Sequence, residues 1–204
     1  MKYTLVLAAL ASSTLAQYDQ SSKPFRLFIK SDNATWDGTT LGTCHQGAAI
    51  EGLCPTGNTH ANTSFSYDTF YHATQLNPPY PGIDGDPDGL LLWNLTVNGG
   101  EIVPSGMQFS SDLLSDVATP IFYPGNDTAS VISFSSNGCM YIGRFQDDTV
   151  TPPVRLDPPQ KIESWYICLT RWSYLYYTLI WKIGVQGVPQ NPTCQKVQVY
   201  REFV

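Results

Sequence analysis

Apolar and polar residues alternate with a two-residue period along much of this chain, the spacing of strands that bury one face. In Phe25–Lys30, the residues Phe25, Leu27 and Ile29 share one side and Arg26 and Lys30 the other. Over residues 90–97, Leu91, Trp93, Leu95 and Val97 share a face and Asn94 lies opposite. Residues 131–134 and 139–145 flank Ser135-Ser136-Asn137-Gly138, and Asn-Gly between two apolar runs predicts a hairpin. Residues 165–169, 174–183 and 196–203 are further strands, with weaker ones at 47–53, 64–67, 106–110 and 119–123. Residues 77–89 and 147–160 are rich in Pro, Gly and Asp and predict long irregular loops. No segment of about 12 residues keeps a helical period. The pattern therefore predicts an all-β, antiparallel, sandwich-like single domain over residues 25–204, built from roughly nine to twelve short strands. A β-trefoil is the alternative, because loosely similar hairpins recur around Phe65, Phe134 and Tyr166.

The first 16 residues break this pattern. Lys2, an apolar core at 5–10 and the small residues of Thr14-Leu15-Ala16 form a signal peptide with its cleavage site. The apolar run is far shorter than the about 20 residues a membrane-spanning helix needs. Residues 17–24 are polar and Pro-containing and read as a disordered N-terminal segment. The C-terminal Tyr200-Arg201-Glu202-Phe203-Val204 lacks the hydrophobic tail of a lipid-anchor signal. The expectation is a soluble, monomeric protein exported to the extracellular space.

Composition and charge narrow the partners. Glu occurs four times, while Ser, Thr, Tyr, Gly and Pro are abundant, which disfavours long helices. The net charge is −6, and no Lys or Arg lies between Lys30 and Arg144, a stretch holding eleven acids. Nucleic acid and anionic membranes, which need basic patches, are excluded as partners.

Cysteines and sequons fit export. Of five cysteines, Cys44 pairs by proximity with Cys54 and Cys168 with Cys194, leaving Cys139 as a buried thiol. Four N-x-S/T sequons mark Asn33, Asn62, Asn94 and Asn126 for glycosylation, while Pro192 blocks Asn191-Pro192-Thr193.

Chemistry-bearing motifs are sparse. Asp84-Gly85-Asp86-Pro87-Asp88-Gly89 has the alternating carboxylates that open an EF-hand calcium loop. Its twelfth position is Leu95 and Pro87 stiffens the turn, so a solvated acidic loop is expected, with calcium at Asp84, Asp86 and Asp88 the alternative. His45, His60 and His72 lack metal-ligand spacing, and His45 near Glu51 predicts a loop-holding hydrogen bond. No catalytic motif stands out, so no catalytic residue is assigned. The aromatic run 172–182 is the most informative feature. Strand alternation puts Leu175, Tyr177, Leu179, Trp181 and Ile183 on a core face, and Trp172, Tyr174 and Tyr176 on the other, about 6.8 Å apart. Such a ladder can stack on sugar rings.

The blocks CHQGAAIEGLC (44–54), VATPIFYPG (117–125), SWYICLTRWSYLYYTLIWKIG (164–184) and NPTCQKVQVYREF (191–203) resemble a family of small secreted ascomycete proteins that carry a domain of unknown function. The resemblance implies a fungal extracellular protein and brings no activity, ligand or cofactor. Three functions compete. The first is a non-catalytic glycoprotein that binds polysaccharide or a cell-wall component. The second is an effector or inhibitor that binds a host protein. The third is a hydrolase with dispersed carboxylates.

Overall fold

A computed structural model describes residues 18–59, 66–78 and 82–204. Residues 1–16, read above as a signal peptide, the sequon at Asn62, and His60 lie outside them. The fold is all-β and antiparallel, as the alternation predicts. Three single 3-10 turns, Ser66–Asp68, Ile83–Gly85 and Asn98–Gly100, are the helical elements among the described residues.

Seven strands close into a ring. They are β2 (Phe25–Lys30), β3 (Thr39–Gly47), β4 (Ile50–Thr59), β5 (Phe70–Thr74), β6 (Asp88–Thr96), β7 (Ile102–Ser111) and β8 (Val117–Pro124). The hydrogen-bonded order is β2-β3-β4-β8-β7-β6-β5. The circle closes through the single pair Phe25↔Phe70. Closure leaves these strands few open edges.

Two extensions grow from the ring. From β6, β9 (Val131–Phe134), β10 (Met140–Asp147) and β11 (Val154–Ile162) continue the sheet outward. From β8, β13 (Leu175–Lys182), β12 (Trp165–Arg171) and β14 (Gln195–Lys196) do the same. The last strand, β15 (Gln198–Phe203), covers β2 along its whole length, from Gln198↔Lys30 to Phe203↔Phe25. The described strands number fifteen, more than the alternation predicted.

Three differences from the sequence expectation have physical causes. The segment read as disordered contains β1 (Gln20–Ser21), which pairs with β5, and Ser22 N–H donates to the His72 carbonyl at 2.9 Å. The Pro-rich stretch read as an irregular loop forms β11. Its ladder breaks between Gln160 and Arg155, so Pro158 and Pro159 fall where no partner is needed, and β11 is an edge strand that tolerates proline. The first half of β3, and β5, escaped the pattern because adjacent residues are buried there on both faces. Thr39, Thr40 and Leu41 are all buried in β3, and His72 and Ala73 are adjacent buried residues in β5.

The core lies inside the ring and under the two extensions. Phe25, Leu27 and Ile29 of β2, Leu91 and Trp93 of β6, Trp165 and Ile167 of β12 and Leu179 of β13 belong to one cluster. The predicted hairpin forms at Asn137-Gly138, with Met140↔Phe134 in register and Gly138 at φ +86°. Both predicted disulfides are present, Cys44–Cys54 across β3 and β4 and Cys168–Cys194 from the middle of β12 to the residue before β14.

Candidate functional site

The aromatic run folds as the β12–β13 hairpin. Arg171 pairs with Leu175, so Trp172, Ser173 and Tyr174 form the turn. A buried glutamine pins that turn to the ring. Gln46 Oε1, from the end of β3, accepts the backbone N–H groups of Ser173 at 3.2 Å and Tyr174 at 3.1 Å.

The tip is aromatic on both sides. Trp172, Tyr174, Leu175, Tyr176 and Tyr177 are each 36–49% exposed. The Tyr174 and Tyr176 rings sit side by side, 6.2 Å between centroids and tilted by 38°, and Tyr174 also meets the His45 ring at 5.6 Å. On the reverse side Tyr177 packs on Trp36 at 5.1 Å, and the Trp36 indole N–H donates to Gln195 Oε1 at 3.0 Å.

This corrects the expected division of faces. Leu175, Tyr177 and Ile183 are exposed, not core, and the buried residues of β13 are Thr178–Ile180 and Lys182. β8 pairs with β13 only at Trp181 and Lys182, so the strand outruns that neighbour and its first residues, Leu175–Tyr177, stay partly open to solvent. Trp172 also leaves the ladder. Sitting in the turn, it aims its indole N–H at Ser110 Oγ, 2.9 Å away, and meets Tyr123 edge-on at 6.4 Å. The exposed ring pair is therefore Tyr174 with Tyr176, and Trp172 lines the adjacent groove.

Two grooves flank the tip. One, of about 500 Å³, is polar and lined by Ser110, Asp112, Thr119, Thr170, Arg171 and Trp172 among others. The other, of about 520 Å³, is more apolar and lies between Trp36, Tyr176, Tyr177, Pro55 and the Cys44–Cys54 disulfide. Gln46, Ser110 and Trp36 were invisible to sequence reasoning. Their part in the site depends on chain crossings separated by tens to more than a hundred residues.

The remaining motifs are placed elsewhere. His45 faces Glu51 across β3 and β4, with Nδ1 and Oε1 3.4 Å apart, so the expected hydrogen bond is formed. Burial raises the Glu51 carboxyl above its ordinary range, and the His45 contact opposes that shift. The three aspartates of the calcium-like loop do not converge on one point. Lys161 Nζ contacts Asp86 at 2.5 Å and Asp84 at 3.0 Å, and the Tyr141 hydroxyl donates to the buried Asp86 at 3.0 Å. Asp88 turns away to accept the Ser133 hydroxyl. An ammonium group thus sits where a cation ligand set would form, and no cluster of three or more His, Cys, Asp or Glu fit for a metal occurs among the described residues.

Cys139 is a buried free thiol. Burial, with Glu163 adding to it, pushes its pKa up to about 12, which keeps it protonated and unreactive at neutral pH. Of the sequon asparagines, Asn33, Asn94 and Asn126 are all half-buried. Asn33 sits in a turn where its Oδ1 accepts Thr35 N–H at 2.9 Å and its amide donates to Gln195. Asn94 lies on β6 opposite Pro104, and Asn126 opens the turn after β8. In the blocked sequon, Asn191 Nδ2 donates to the Leu169 carbonyl at 3.0 Å and Thr193 Oγ1 accepts Leu169 N–H at 2.9 Å. These side chains cap the β12 edge beyond β14, where a further strand would otherwise pair.

A family model described as Domain of unknown function (DUF7907) matches residues 22–203, every strand from β2 to β15. The chain belongs to this family. The DUF7907 match takes in the ring, both extensions and the aromatic tip, and attaches no activity to any of them. No curated protein and no solved structure matches the chain. The two disulfides fit an oxidising compartment. No helix among the described residues is long and apolar enough to cross a membrane.

Proposed function

We propose that this is a secreted fungal glycoprotein that binds polysaccharide of the cell surface or extracellular matrix without chemically altering it, through the β12–β13 tip. The observation that carries the reading is the exposed Tyr174–Tyr176 pair on a turn held by a buried glutamine. Aromatic residues are normally drawn into cores; here several are held outside on a braced support. A flat ring with a polar tip stacks on the C–H face of a pyranose while its hydroxyl bonds to the sugar. Bracing keeps the ordering cost of binding low. The leader, the sequons and the two cystines support export and glycosylation. For the architecture, we take a flattened, sandwich-like barrel over the trefoil. Seven strands in the ring support this, since a threefold repeat of hairpins would give a multiple of three.

The test is a glycan array with a pull-down on insoluble polysaccharides. The double variant Tyr174→Ala/Tyr176→Ala is expected to lose about tenfold or more in affinity with an unchanged melting temperature. Undiminished retention of that variant would remove the platform.

A second reading has its own observation. Leu113 and Leu114, in the turn between β7 and β8, are 102% and 91% exposed. The loop holding Val188 is tied beside them through Gln190 N–H to Asp116. This arrangement supports binding of a host protein, as an effector or inhibitor would. Binding to a purified extracellular host protein should then persist in Tyr174→Ala/Tyr176→Ala and vanish in Leu113→Ser/Leu114→Ser. The opposite pattern would exclude this surface.

A further inference from the structure

We propose that the polar groove beside Trp172 is a specificity subsite for an uncharged glycan segment, next to the turn that carries the tyrosine pair; the inference rests on the carbohydrate reading of the tip. The groove's volume of about 500 Å³ lies within the range of small-ligand sites. Its floor is the cross-strand pair Ser110↔Thr119, and its far wall is Thr170 and Arg171 at the end of β12.

Three features select the ligand class. First, Trp172 is fixed in place. Its indole N–H is already given to Ser110 Oγ at 2.9 Å. The ring is therefore oriented before binding, and the Ser110 proton is left to donate elsewhere. Second, five of the eleven lining residues carry hydroxyls, and a hydroxyl can both donate and accept. Contiguous hydroxyls on a sugar have the same dual capacity, so donors and acceptors can be matched without a fixed pattern. Third, the charge in the groove balances. Arg171 brings one exposed guanidinium and Asp112 one exposed carboxylate. A polyanion would be repelled by Asp112 and by an acidic molecule of net charge −6. A polycation would meet Arg171. A neutral polyol can take hydrogen bonds from Arg171 and give them to Asp112.

Asp112 is also structurally placed to serve. Its Oδ1 accepts Leu114 N–H at 2.8 Å, which sets the turn and the direction of the carboxylate. An asparagine keeps that turn bond while losing the charge, so Asp112→Asn separates the two roles.

The experiment is calorimetric titration of the full secreted protein with neutral oligosaccharides of β-linked glucose, xylose or mannose, and with polygalacturonate. At least one neutral series is expected to bind, with polygalacturonate at least tenfold weaker. Raising salt from about 0.05 to 0.5 M should leave the neutral affinity unchanged, because no ion pair is formed. Arg171→Met and Asp112→Asn should each weaken neutral binding about tenfold without moving the melting temperature. If both variants bind as the parent does while Tyr174→Ala/Tyr176→Ala loses binding, the groove subsite is wrong and the platform stands. If polygalacturonate binds best, the neutral class is wrong. If the parent binds none of these saccharides, both the subsite and the platform fall.

Discussion

Trp165→Ala is expected to cost about 5 kcal/mol, the upper end for loss of a buried tryptophan. Trp165 is fully buried in β12. Its ring meets Trp181 edge-on at 4.7 Å and stacks near Phe109 at 6.1 Å. Its indole N–H donates to the Met140 carbonyl at 2.8 Å. The residue therefore ties together the two extensions, β12–β13 on one side and β10 on the other. Alanine would leave a large cavity and an unpaired buried carbonyl, and the two penalties act together. Domains of this size are stable by only about 5–15 kcal/mol, so the variant should unfold at low urea or fail to be secreted. Trp165→Phe keeps most of the packing and loses the hydrogen bond, and should cost roughly 2 kcal/mol. Equilibrium urea unfolding of the three proteins measures both values. A Trp165→Ala midpoint close to that of the parent would mean that β12 is not a structural part of the core.

Acid is expected to remove about 3 kcal/mol of stability through His72 alone. Burial holds the His72 pKa down to about 4, against an ordinary value of 6.5. The ring is almost wholly enclosed, its Nε2 lies 3.2 Å from the Ile132 carbonyl, and it packs edge-on against Phe134 at 5.1 Å. The Arg201 guanidinium, seated 4.5 Å from the Phe134 ring, further disfavours a second positive charge. Close packing prevents the ring from escaping to water, since even a Cβ on Gly89 would come within 2.5 Å of His72 Nε2. The unfolded chain binds a proton below about pH 6.5, whereas the folded one does so only near pH 4. This contribution is therefore complete above about 6.5, shrinks as the pH falls, and is gone near 4. His72→Gln can still donate to Ile132 and cannot titrate. Its unfolding free energy should lack that part of the pH slope. Parallel slopes for parent and variant between pH 6.5 and 4 would show that His72 is accessible to protons in the folded state.

Much of the fold could be read from short-range pattern. Strand β2 is an alternation of Phe25, Leu27 and Ile29, and all three are fully buried. The Asn137-Gly138 turn forms because a positive φ at Gly138 carries almost no steric cost there. The Cys44–Cys54 cystine agrees with proximity, because the two residues lie on adjacent strands of one hairpin. Charge likewise speaks from composition, because eleven acids lie between Lys30 and Arg144 with no Lys or Arg among them, and that stretch disfavours a polyanion as partner.

The candidate site was only half legible. Trp172, Tyr174 and Tyr176 are recognisable as aromatic and closely spaced, and they are exposed. Their grouping depended on the assumption that a strand continues through Trp172, and the hairpin turn falls there instead. Whether a strand face is core or surface depends on what covers it, a property of contacts far apart in sequence. β13 is buried at Thr178–Ile180 and open at Leu175–Tyr177 because β8 reaches only its far end. The same dependence hid the first half of β3, and β5, where adjacent residues are buried on both faces and alternation is lost. It also hid β11, whose prolines matter little at an edge.

Local pattern thus pointed to antiparallel strands, to the cystine pairing that proximity suggests and to the aromatics available for a surface. The assembled fold settled which of those aromatics face water, how Gln46 braces them, and that Arg171, Asp112 and Ser110 lie beside Trp172. Side-chain periodicity is a property of a few neighbouring residues. Burial and groove geometry arise when the ring closes at Phe25↔Phe70 and brings distant segments together.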